Sequence, residues 1–187
     1  GNMLFGTYTN GALKYNGIVF DKIDEGSGLK GSQVLSLYTD EQGLVWIGTM
    51  SHGVQILEGM EFVFYSDAHG LQGSNVRGLA EDDDGSVWVT TLRGVSIVGN
   101  GILDSVLSLG PSYRFGPIVK TGPSYMLAGT YEGRLVRIKK DYTYQIIEDP
   151  LLQNTEIQNC NPVTHRHRFN LVMRDIDHRC PEFLLKM

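Results

Sequence analysis

The sequence predicts an all-β propeller assembled from four-stranded units about 42 residues long. Two observations predict it. First, residues recur at one fixed offset: Trp46 and Trp88, Gly43 and Gly85, Asp40 and Asp82, Val34 and Val76, Leu37 and Leu79, and Gly31 and Gly73. Second, all 23 glycines lie at or before Gly133. The body of the chain is therefore turn-rich with short strands, and the remainder is of a different kind.

The elements follow in order. The first copy starts at what is the second strand of later copies: Gly6-Thr7 maps onto Gly48-Thr49, Gly11 onto Gly53, Gly17 onto Gly59, Phe20 onto Phe62 and Gly28 onto Gly70. In the second copy the strands read as Gln33 to Tyr38, Leu44 to Gly48, Val54 to Leu57 and Glu61 to Tyr65. Thr39-Asp40-Glu41-Gln42-Gly43 joins the first two, with Asp early and Gly late as tight turns prefer. The third copy repeats this pattern. In the fourth, Ala128-Gly129-Thr130-Tyr131-Glu132-Gly133 repeats Phe5 to Gly11 with a shorter turn. The expected units are 3–31, 32–73, 74–116 and 117–154, within a repeat region 1–154. A non-repeat tail, 155–187, follows, and its start, Glu156 to Val163, is a candidate innermost strand for the first unit. About four blades allow a closed four-bladed ring, a half-ring completed by a second copy, or a fragment of a longer array.

Composition narrows the function classes. The 187 residues are 41% hydrophobic and 20% charged, which favours a packed globular protein over disorder. A net charge of −5 argues against a nucleic-acid partner, which needs a large basic face. No apolar run approaches the ~20 residues that cross a bilayer. Gly1-Asn2-Met3 has no basic segment followed by an apolar stretch, so no signal peptide is read there; Gly1 reads as a scar of tag removal, and a leader's absence says little about compartment.

The run Val34-Leu35-Ser36-Leu37-Tyr38-Thr39-Asp40-Glu41-Gln42-Gly43-Leu44-Val45-Trp46-Ile47-Gly48-Thr49 resembles the two-component regulator propeller repeat. Asn75 to Thr91 resembles it as well, with Thr90 where the family has Gly. Leu4 and Leu127 hold the Trp position in the outer copies. The resemblance implies a ligand-sensing propeller in the extracytoplasmic, periplasmic part of a bacterial hybrid histidine kinase or related regulator. It implies a small-molecule or oligosaccharide ligand, with glycan fragments a frequent case.

Candidate site residues come from comparing the copies. Each turn between the second and third strands has a Thr before it and a Gly after it, while the tips differ. A fixed frame with variable tips is how repeat proteins build binding faces. Tyr8 and Tyr131 suit stacking on sugar faces; Asn10, His52, Arg93 and Glu132 suit hydrogen bonds to hydroxyls or acids. Trp46 and Trp88 are assigned to packing between blades. The acidic run Glu81-Asp82-Asp83-Asp84-Gly85 lacks the ligand spacing of a calcium loop and reads as a solvated hairpin turn. Cys160, His165, His167, His178 and Cys180 lack the spacing of structural zinc sites, and a Cys160–Cys180 disulfide is open in an oxidising compartment. No nucleophile elbow, zinc-protease or phosphate-loop pattern is present, so no catalytic residue, metal or cofactor is assigned. The leading expectation is a non-catalytic sensor, with a homodimer as one route to a complete ring. The alternatives are an interaction scaffold or, less favoured, a propeller lyase or glycan-cleaving enzyme, which requires convergent carboxylates or a His–carboxylate pair at the channel mouth and is favoured if Glu132, His52 and Arg93 point into one pocket.

Overall fold

The computed structural model describes residues 3–99, 101–147, 156–157 and 173–174. Fifteen strands form four antiparallel sheets in strict chain order. The first contains β1 (Met3–Gly6), β2 (Ala12–Tyr15) and β3 (Phe20–Ile23). The second contains β4 (Val34–Thr39), β5 (Val45–Thr49), β6 (Val54–Glu58) and β7 (Glu61–Tyr65). The third contains β8 (Val76–Glu81), β9 (Val87–Thr91), β10 (Val95–Gly99) and β11 (Ile102–Leu107). The fourth contains β12 (Phe115–Lys120), β13 (Tyr125–Thr130), β14 (Leu135–Lys139) and β15 (Tyr144–Ile147), so it opens ahead of residue 117. Each sheet is a simple meander, as short turns between antiparallel neighbours require.

The sheets stack as propeller blades. Strand β4 lies beside β8, β8 beside β12, and β1 against β4, so the leading strands of successive sheets are neighbours. Each interior blade is covered on both faces. Val87-Trp88-Val89-Thr90-Thr91 is accordingly buried throughout rather than alternating. Outer strands lose this cover, and β15 is largely exposed.

Three hydrophobic clusters lie between successive blades. Leu4, Ala12, Val34 and Ile47 join the first to the second. Trp46, Val76, Leu79 and Val89 join the second to the third. Trp88, Phe115, Ile118, Met126 and Ile138 join the third to the fourth. Among the described residues no fourth cluster links the first blade to the fourth. Trp46 and Trp88 are 5% and 1% exposed, each aimed at the following blade. Burying ~200 Å² of indole at ~25 cal/mol/Å² contributes about 5 kcal/mol before ordering costs.

The Trp is held by an acid six residues earlier. Trp46 Nε1 donates to Asp40 Oδ2 at 2.7 Å, and Trp88 Nε1 donates to Asp82 Oδ2 at 3.0 Å. The other carboxylate oxygen closes the turn: Asp40 Oδ1 accepts from the Leu44 N–H, and Asp82 Oδ1 from the Asp84 and Ser86 N–H groups. In the fourth blade both members change together, to Thr121 and Leu127, while the turn keeps its Thr121 N–H to Tyr125 O bond.

Close approach explains the glycine that leads into the first two rim turns, Gly6 and Gly48. A β-carbon at Gly48 would stand 2.1 Å from Ser36 Oγ and 2.5 Å from Val76 Cγ1. The third blade reverses the pair: Thr90 replaces that glycine, Gly78 replaces the serine, and Thr90 Oγ1 donates to Gly116 O at 2.5 Å. Size is thus exchanged across the same contact.

One expectation ends differently here. Glu81 is not part of a solvated turn. It closes β8 at 5% exposure, with Oε2 accepting from Tyr38 Oη and the Glu41 N–H, both at 3.0 Å. Burial first, and then the Glu81 carboxylate, push the Tyr38 phenol above its ordinary range. At the start of the tail, Glu156–Ile157 pairs antiparallel with Met173–Arg174, and no described strand pairs with the free edge of β1. Residues 158–163, the zinc candidates Cys160, His165, His167, His178 and Cys180, and the cysteine pairing lie outside the described residues.

Candidate functional site: the rim between the second and third strands

In an antiparallel meander, the loop entering a sheet and the turn joining its second and third strands emerge at the same end. That end carries the variable tips, Tyr8, Asn10, His52, Arg93, Tyr131 and Glu132. The opposite end carries the acidic turns around Asp40 and Asp82.

The conserved-looking Thr and Gly frame within the chain has a local cause. Thr7 and Thr49 donate their hydroxyls to the carbonyls of Gly11 and Gly53, and Thr91 donates to Gln72 O at 2.6 Å in the loop that enters its blade. The same hydroxyls accept from the N–H groups of Asn10, His52 and Arg93 at 2.9–3.1 Å. Thr130 accepts from Arg134 N–H in the fourth turn. Gly53 has φ +74 and its β-carbon would meet Tyr65 O at 2.0 Å, so only glycine closes this turn. The backbone is thereby fixed while the tip side chains remain available.

Each tip meets a different neighbour. Tyr8 is 58% exposed and donates to Met50 Sδ at 3.5 Å, one blade on. The Asn10 side chain reaches Thr9 Oγ1. His52 Nδ1 lies 3.0 Å from Ser51 Oγ, and its ring rests against Gly31. Arg93 rests against Gly73 in the equivalent place. Glu132 Oε1 pairs with Arg114 Nε at 2.8 Å, and Oε2 accepts from the Arg114 N–H at 3.0 Å. His52, Arg93 and Glu132 therefore sit on three separate turns, each with its own partner, rather than as one cluster.

A denser group forms at the third and fourth blades. The Tyr131 ring has the Arg77 guanidinium 5.4 Å and the Arg114 guanidinium 5.6 Å from its centroid. Arg134 lies 5.0 Å over Tyr113, which precedes Arg114 in the inter-blade loop. These distances are within cation–π range. Ser108 Oγ donates to Arg93 O, tying the third turn to the same loop. Arg77 owes its position to a β-bulge: Val76 pairs with Thr91 and Gly78 with Thr90, leaving Arg77 as the extra residue. Tyr113, Arg77, Arg114 and Arg134 were not among the sequence candidates. Their one signal is that the chain has no arginine before Arg77.

The opposite end is acidic and cross-braced. Asp83 pairs with Lys120, and Asp84 with Lys140 at 2.5 Å. A small crevice there is lined by Asp82, Trp88, Lys120, Pro123 and Tyr125. Among the described residues no group of three or more His, Cys, Asp or Glu is arranged to hold a metal ion. No described helix is long and apolar enough to cross a membrane.

Residues 28–51 and 70–93 match the two-component regulator propeller family. A search of curated proteins found no match. Among solved structures, the chain resembles the extracellular domain of BT3049 from B. thetaiotaomicron, described as a hybrid two-component system, at 25% identity and TM-score 0.65, covering 79% of this chain and 22% of that one. The extracellular domain of BT4673 from the same organism, of like description, gives 19% identity and TM-score 0.66, covering 83% and 24%. Virginiamycin B lyase from Staphylococcus aureus gives 11% identity and TM-score 0.64, covering 78% and 50%. The chain thus spans about half of the lyase and under a quarter of the two sensor domains. At 11% and 19%, the likenesses establish the propeller fold alone.

Proposed function

We propose that this chain is a ligand-sensing, non-catalytic propeller segment of a bacterial two-component system, working outside the cytoplasm in the periplasm. Its repeat region, 1–154, presents the rim described above to a small molecule or oligosaccharide. The observation that carries this reading is the rim itself: threonine hydroxyls lock four turn backbones, while the tips between them vary and reach across blade boundaries. Ligand held by two blades at once favours one relative blade or subunit arrangement, and signalling follows from that differential affinity. A homodimer completing the blade array belongs to the same reading. Two-component regulator repeats at 28–51 and 70–93, and the sensor-domain likeness at 25% identity, support it. A lyase reading has only fold likeness behind it.

The test is thermal unfolding of the intact chain against maltotetraose, cellotetraose, tetragalacturonate and a heparin-derived tetrasaccharide. A saturable rise in Tm with at least one of them, lost in at least one of the rim variants Tyr8→Ala and Tyr131→Ala but kept in Lys14→Gln on β2, is expected. No shift with any of them, or shifts unaffected by the rim variants, contradicts the reading.

A further inference from the structure

Charge is divided between the two ends of the third and fourth blades. The acidic end holds Glu81, Asp82, Asp83 and Asp84, with two lysines bound to the last two. The rim end holds Arg77, Arg93, Arg114 and Arg134, with Glu132 paired to Arg114 and Asp67, in the loop entering the third blade, close to Arg93. A protein of net charge −5 has thus gathered four arginines on one part of one face, while the corresponding positions of the second blade are uncharged. The bulge residue equivalent to Arg77 is Leu35, and the residues equivalent to Arg114 are Gln33 and Asn75. Fold does not demand arginine at either place, because the same bulge and the same loop form without it.

We infer that the ligand of this rim is an oligosaccharide carrying carboxylate or sulfate groups, bound across the third and fourth blades by Arg77, Arg114 and Arg134, with Tyr113 and Tyr131 holding the guanidinium groups in place. The inference rests on the sensor reading and deepens it. Three features fit this class of ligand. Guanidinium forks match planar carboxylate and sulfate oxygens in a bidentate way that ammonium does not. Tyrosine rings already hold the guanidinium groups of Arg77, Arg114 and Arg134 at 5.0–5.6 Å, which fixes their planes and reduces the rotamer entropy lost on binding. Glu132 holds Arg114 through both its side chain and backbone N–H, and the Arg114 side chain remains 55% exposed to an incoming anion. A neutral sugar gains little from such an array, whereas each anionic group on a repeating saccharide meets a positioned cation.

The test is titration calorimetry of the intact chain with tetragalacturonate, a heparin-derived tetrasaccharide and maltotetraose, at two salt concentrations. The variants are Arg77→Leu and Arg114→Gln, each borrowed from the second blade, and Arg134→Gln. Arg137→Gln, on β14 over Tyr125, is the charge-matched control, and circular dichroism checks the fold of each. At least tenfold tighter binding of one anionic tetrasaccharide than of maltotetraose is expected, weakening with salt. Each rim variant should lose about tenfold, and Arg137→Gln should change Kd by under twofold. Which anionic probe binds distinguishes carboxylate from sulfate. Equal or tighter binding of maltotetraose overturns the inference and leaves the sensor reading standing. Loss by Arg137→Gln equal to that of the rim variants shows diffuse attraction and overturns it, as does binding of neither anionic probe.

Discussion

Replacing Asp82 by alanine removes three hydrogen bonds at once: those from Trp88 Nε1 at 3.0 Å, Asp84 N–H at 2.9 Å and Ser86 N–H at 3.1 Å. Trp88 is 1% exposed, so its indole N–H is left dry without an acceptor, at a cost of about 1–3 kcal/mol. The turn N–H groups are nearer solvent and recover part of their loss from water. The total is about 2–4 kcal/mol, or about 4–16 °C in Tm for a chain of this size. The fourth blade shows the matching control, since it holds Thr121 and Leu127 at the same two places. Asp82→Thr, Trp88→Leu and the double variant form a cycle read by urea unfolding with far-ultraviolet circular dichroism. Once Trp88 is gone, the carboxylate no longer has a buried partner to satisfy. The double variant should therefore be more stable than the sum of the singles by at least about 1 kcal/mol. Additivity within ~0.5 kcal/mol would refute the claim that acid and indole act as a pair.

Other consequences are open to measurement. Gly48→Thr forces a β-carbon against Ser36 and Val76 and should cost about 1–3 kcal/mol in urea unfolding; adding Ser36→Gly, as the third blade does with Gly78, should restore part of it. Tyr38 stays protonated in the fold well above its ordinary pKa because it is buried and bonded to Glu81. Its contribution is complete below about pH 10 and is lost as pH rises toward the raised value, so Tyr38→Phe should flatten the fall in stability above pH 10. Asp67 runs the other way: the Ser74 hydroxyl and the Ala68 N–H lower its pKa, so its contribution is lost as pH falls through and below the ordinary value of 3.8. Asp67→Asn should weaken the acid dependence of Tm there. Glu132→Gln should leave Tm within about 2 °C, since its pair with Arg114 is exposed, while changing saccharide affinity measurably by calorimetry.

The fold was legible because a blade cannot bury its faces alone, so the same packing demands recur at one period. Trp46, Trp88 and the apolar strands around them therefore stand at fixed offsets, and β4 to β7 fall within a residue of where the pattern puts them. The Asp and Trp spacing of six was visible in both sharp copies, but its meaning needed the indole N–H and the carboxylate in space. The rim tips were legible as variation inside a Thr and Gly frame. The arginine group was not, because it is gathered from an inner-strand bulge, an inter-blade loop and a turn. Bulges follow from register, and register is set by pairing partners that no single segment reveals. Glu81 was misread for a related reason: it continues an acidic run in sequence, yet the strand delivers it to Tyr38 on the neighbouring blade.

Hydrogen–deuterium exchange of the intact chain, with and without the tightest-binding tetrasaccharide of the panel, tests the central claim most directly. The account predicts slowed exchange confined to the rim peptides spanning 75–79, 91–95, 108–115 and 130–135. Protection centred instead on 39–45, 81–87 and 121–125, at the acidic end, would contradict it, as would a saturating ligand that protects neither end.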